Sequence, residues 1–70
     1  MKYRLEIWEK YSITTTKKSD DIEEVLKWYK RNWKWKYDIK LCAFRLFENG
    51  RELPYVELKK LGFIGGKDVL

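Results

Sequence analysis

The chain predicts a small α+β domain: a mainly antiparallel sheet of four short strands, in the order β-β-α-β-β-α, with one main helix packed on one face. Three observations point there. Residues 2–9 alternate in polarity, residues 20–33 carry apolar side chains at helical spacing behind an acidic start, and Asn49-Gly50 divides two strand-like runs. At 70 residues the chain makes one domain. We expect that domain over 1–63 and a loose tail over 64–70.

In the first element, Tyr3, Leu5 and Ile7 face one side, and Lys2, Arg4, Glu6 and Trp8 face the other. That is a half-buried strand. Ser12-Ile13-Thr14-Thr15-Thr16 is β-branched, and a turn around 9–11 makes it the return strand of a hairpin. Asp20 is placed to cap a helix, with Glu23 completing a capping box and the acids matching the positive end of the macrodipole. At 100° per residue, Val25, Leu26, Tyr29 and Trp33 fall within about 60° of Ile22, giving the core face. The helix is expected to end near 33–35.

Residues 39–48 form the expected third strand, and Asn49-Gly50 suits the positive φ angles of a type I′ turn. Arg51-Glu52-Leu53 is then a short partner strand. Pro54 opens a second short helix that stops at Gly62, with Phe63 folding back on it. The third strand is apolar on both sides: Cys42, Phe44 and Leu46 on one, Ile39, Leu41, Ala43 and Phe47 on the other. A sheet with one wet face would alternate. The second helix and tail are expected to cover the other face; a partner or a second copy of the chain, as a homodimer, is the alternative cover.

Composition narrows the function. The chain has no histidine, which excludes a Ser-His-Asp triad, a His-based acid–base pair and most zinc or iron sites. The single cysteine, Cys42, forms no internal disulfide and is expected to be a small core hydrophobe in a cytoplasmic protein. No apolar run is long enough for a signal peptide or a membrane span. The acid pairs Asp20/Asp21 and Glu23/Glu24 are explained by capping, and Gly62–Gly66 lacks the Gly-Lys-Ser/Thr ending of a phosphate loop. No cofactor, no metal and no catalytic residue is expected; the chain is not expected to be an enzyme.

A net charge of +5 and a pI near 9.4 raise nucleic acid as a partner. Twelve lysines against four arginines favour sequence-independent contacts, because arginine is the residue that grips bases and phosphates bidentately. The basic and aromatic residues concentrate in 27–40, where Asp38 is the one acid. Lys27, Lys30 and Lys34 lie together on one side of the helix, with Arg31 opposite the core. They are the candidate nucleic-acid-binding set, or else the solvated basic end of a helix. Trp28 falls off the core face at about 240° from Ile22 and, if the helix persists that far, Trp35 does so at about 220°. With Arg31 they are the candidate partner-binding set, since Trp and Arg dominate binding hot spots. The competing reading packs both tryptophans as structural cover.

The opening 2–9, the helix ending in Asn32-Trp33, and the close Phe47-Glu48-Asn49-Gly50-Arg51-Glu52-Leu53 with Leu61-Gly62-Phe63 resemble short uncharacterised phage and prophage proteins of low-GC Gram-positive bacteria. The resemblance implies a small accessory protein that binds or inhibits a host protein or defence complex, anti-CRISPR proteins among that class. It implies no catalytic residues. The basic charge departs from the acidic, DNA-mimicking type of inhibitor. The expected function is therefore a protein-binding module with a host or viral partner, and the alternative is a sequence-independent nucleic-acid binder.

Overall fold

A computed structural model describes residues 1–65. The chain runs β1 (Tyr3–Glu9), β2 (Ser12–Ser19), α1 (Ile22–Asn32), α2 (Lys34–Asp38), β3 (Ala43–Glu48), β4 (Arg51–Glu52) and α3 (Tyr55–Leu61). The strands form one antiparallel sheet in the order β2-β1-β3-β4. This is the expected α+β fold, with a short helix, α2, added to the expected order. The tail is described only to Gly65, where Ile64 packs partly buried against the core. The rest of the expected tail, 66–70, lies outside the described residues.

The alternation of β1 works as its sequence implies. Leu5 and Ile7 are fully buried, and their cross-strand neighbours on β3 are Leu46 and Phe44. Against this row sit Val25 and Tyr29 of α1, and Leu53, Leu58 and Phe63 from the C-terminal segment. Tyr29, Phe44 and Phe63 meet at ring-centroid distances of 4.7, 5.4 and 6.0 Å, the tilted and edge-on geometries that aromatic rings favour. Both Ile22 and Leu26, with Trp28 and Trp33, flank this core half-buried.

Several boundaries differ from the sequence expectation. Strand β2 extends through Ser19, and a bulge opposite Ile7/Trp8 takes up an extra residue. Asp21, not Asp20, caps α1, accepting the Glu23 amide at 2.9 Å; Asp20 instead accepts the Lys2 amide at 2.7 Å. Helix α1 stops at Asn32, and Trp33 leaves helical geometry (φ −129°, ψ −21°) before α2 begins. The expected third strand does not begin at Ile39: α2 and its exit turn consume 34–42, and Lys40 takes a left-handed conformation (φ 67°) that ends any extended run there. Cys42 is therefore half-buried just before β3, not within it.

The C-terminal helix behaves as predicted. Gly62 adopts φ 98°, and the Phe63 amide donates back to the Leu58 carbonyl at 3.0 Å. Its placement corrects another expectation: α3 lies on the same side of the sheet as α1. Phe63 plugs against Tyr29 and Phe44, which draws the short β4–α3 link over the helix side. Among the described residues no helix covers the opposite face.

Candidate functional site

The sequence-predicted residues fall on three surfaces. Trp28 is half-buried, packs against the core and meets Trp33 at 6.4 Å between ring centroids. Beside it Lys17, Glu24, Lys27, Arg31 and Asn32 line a shallow groove of about 190 Å³ between the hairpin and α1. Trp28 and Arg31 thus share a groove, but Trp35 does not line it. Trp35 lies on α2 and is 55% exposed.

The basic set is also divided. Lys27 and Lys30 line a second groove with Glu23 and Leu26. Lys27, Lys30 and Arg31 are exposed, and among the described residues no carboxylate pairs with them within 4 Å. Lys34 differs: its ammonium sits 3.2 Å from Asp38 along α2, with its side chain largely covered. That i,i+4 pair ties down the cation the sequence grouped with the other three.

Around Trp35 a more apolar surface emerges. Ile39, one turn on, is 59% exposed, and Leu41 is 57% exposed. The Leu41 amide donates to the Lys36 carbonyl at 2.8 Å, which folds the exit turn back against α2. Lys36 anchors this unit to the sheet by its 3.2 Å pair with Glu9 and lies 5.0 Å from the Trp33 ring centre. The Glu9 carboxyl is held below the usual range by the Thr14 hydroxyl and by Lys36. Behind α2, burial pushes the Cys42 thiol and the Tyr37 phenol up, so neither is an activated nucleophile.

A further surface holds none of the predicted site residues. On the helix-free face, Arg4, Glu6 and Trp8 of β1 stand beside Phe47, Arg45 and Ala43 of β3. The Arg4 guanidinium lies 4.2 Å from the Phe47 ring centre, and that of Arg45 lies 5.6 Å from the Trp8 ring centre. Between them Glu6 accepts from Arg4 Nε at 3.2 Å and from the Trp8 indole at 3.1 Å. Two sequence signals could have found this surface: Trp8 falls opposite Leu5 and Ile7, and the third strand is apolar on both sides. Among the described residues no cluster of three or more Cys, Asp or Glu side chains is placed to hold a metal, and no helix is long and apolar enough to cross a membrane. Comparison of the chain with protein-family models, with curated proteins and with solved structures gave no match.

Proposed function

We propose that the chain is a non-enzymatic protein-binding module that docks its partner on the α2 surface. The observation that carries this is the exposure of Trp35, Ile39 and Leu41, each more than half accessible within one short stretch. Isolated exposed apolar residues are ordinary, but three of them close together on a short anchored helix and its exit turn, a tryptophan among them, make a candidate hot spot. Arg31 and Trp28 lie on the neighbouring helix in a separate groove that Trp35 does not line, so the docking surface proposed here rests on α2 and its exit turn. The resemblance to short phage and prophage proteins supports a phage-encoded protein acting in the cytoplasm on a host protein or defence complex. Affinity capture from a host lysate tests the reading: a partner retained by the wild-type chain and by Lys30→Ala, and lost with Trp35→Ala, supports it. Capture indifferent to Trp35→Ala refutes it.

One observation favours a second reading, sequence-independent nucleic-acid binding through α1: the exposed Lys27, Lys30 and Arg31 carry no ion-pair partner among the described residues, whereas Lys34 does. A gel-shift titration at two salt concentrations measures it. Neutralising three phosphates gives a log–log slope near −2 to −3, at about −0.7 to −0.9 per contact.

A further inference from the structure

We propose that the helix-free sheet face is a docking platform for single-stranded nucleic acid, with bases stacking on Arg4 over Phe47 and on Arg45 over Trp8. The two arginine–ring pairs occupy the central strands, where the register sets Arg4 beside Phe47 and Glu6 beside Arg45. Arg45 stands opposite Glu6, so the two stacking groups Arg4 and Arg45 are diagonal neighbours across β1 and β3, roughly 7–8 Å apart, a spacing that suits successive nucleotides of an extended strand. A guanidinium resting on a ring presents its own flat, weakly hydrated outer face, which stacks on any base irrespective of sequence.

The charge on this face has the sign a phosphate chain requires. Glu6 is nearly buried (side chain 13% exposed) and held by Arg4, and Glu52 pairs with Arg45 at 3.5 Å. Lys18, the β2 neighbour of Arg4, is exposed and has no carboxylate partner among the described residues, so the face stays net positive. A second copy stacked face to face would bring two arginine pairs together and bury them, an unfavourable arrangement without further acids. Duplex is disfavoured as well, because its bases are already stacked and unavailable. The face lies across the sheet from Lys27, Lys30 and Arg31, so the two nucleic-acid readings separate by mutation, and neither depends on the α2 docking surface.

The test uses the full chain and fluorescence anisotropy with labelled oligothymidylate, oligouridylate and a hairpin duplex, between about 50 and 200 mM salt. Wild type is expected to bind the single strands more tightly than the duplex. Arg45→Ala and Phe47→Leu should each weaken that binding roughly tenfold. Arg45→Lys, which keeps the charge but not the plane, should recover little of it. Lys27→Ala/Lys30→Ala/Arg31→Ala and Trp35→Ala should change it by less than about threefold. Circular dichroism checks that each variant folds; Arg45 is more than half exposed, so its replacement leaves the core intact. Equal affinity for duplex, full activity of Arg45→Lys, loss confined to the α1 triple variant, or no binding to either strand overturns the proposal. So does self-association in sedimentation that Arg45→Ala abolishes, which would make the face a homodimer interface.

Discussion

Replacing Tyr29 by phenylalanine should make the protein more stable. The Tyr29 side chain is fully buried between Phe44 and Phe63, and its hydroxyl finds no hydrogen-bond partner among the described residues. Burying an unpaired hydroxyl costs roughly 1–3 kcal/mol, while phenylalanine keeps both ring contacts. We expect a gain of about 1 kcal/mol, or roughly 4–8 °C in Tm for a domain of this size. The same substitution should change the alkaline limb. Burial pushes the Tyr29 phenol well above its ordinary value near 10. Above that pH the unfolded chain releases a proton that the folded chain retains, so stability falls as pH rises, at about 1.4 kcal/mol per pH unit. Tyr29→Phe removes that term, so its advantage over wild type should widen above pH 10. Urea titrations at neutral pH and above pH 10 measure both effects. A variant less stable than wild type at neutral pH would show that the hydroxyl is satisfied, and an advantage that stays flat with pH would show that it reaches solvent.

Trp28→Ala and Trp33→Ala should each cost about 2–4 kcal/mol, because both rings pack on the core, whereas Trp35→Ala should cost no more than about 0.5 kcal/mol; thermal melts of the three variants measure it. Ser19→Ala should be destabilising at neutral pH and less so in acid. The Ser19 hydroxyl donates to Glu24 at 2.7 Å and, with Lys17 behind it, holds that carboxyl below its ordinary 4.5. Stability from that contact is present above the ordinary value and lost as pH falls through the lowered one, so denaturation at pH 7 and at pH 3 should show the penalty shrinking. Gly62→Ala should cost about 1–2 kcal/mol through its φ of 98° rather than through crowding, since a Cβ there meets Leu26 Cδ2 at 3.6 Å; a shift in urea midpoint without a change in slope is the expected sign.

The parts of the fold legible in the sequence are those written in local chemistry. The alternation of Tyr3, Leu5 and Ile7, the acids ahead of Ile22, the Asn49-Gly50 turn and the Gly62 stop each commit a few residues with no help from the rest of the chain. What escaped reading depends on tertiary packing. Ile39 and Leu41 look like strand residues by period, yet Ile39 caps α2 and Leu41 lies in its exit turn, where Lys36 ties α2 to Glu9 of the hairpin and the left-handed Lys40 reverses the chain. The side chosen by α3 was equally hidden: nothing near Leu58 or Phe63 states which face of the sheet they will meet. The candidate site divided along the same line. The exposure of Trp35 does not follow from its helical angle, because the chain breaks at Trp33 and Trp35 lies on α2, while Trp28, whose angle on α1 holds, is half-covered by Trp33. The arginine–ring pairs needed the β1–β3 register, which no short-range signal encodes.

That register also governs how the chain finds its structure. The two central strands are joined between Tyr3 and Glu48 at one end and between Trp8 and Ala43 at the other, across most of the chain, while β1 and β2 meet through a two-residue turn. Closing a loop of about forty residues costs some 2–3 kcal/mol more entropy than closing the hairpin, by the logarithmic dependence on length. The β1–β2 hairpin and α1 should therefore form as early, local events, with the docking of β3 onto β1 expected to set the folding rate. Until it occurs, Leu5 and Ile7 have a strand neighbour on one side alone, and the core row that includes Leu46 and Phe44 does not yet exist.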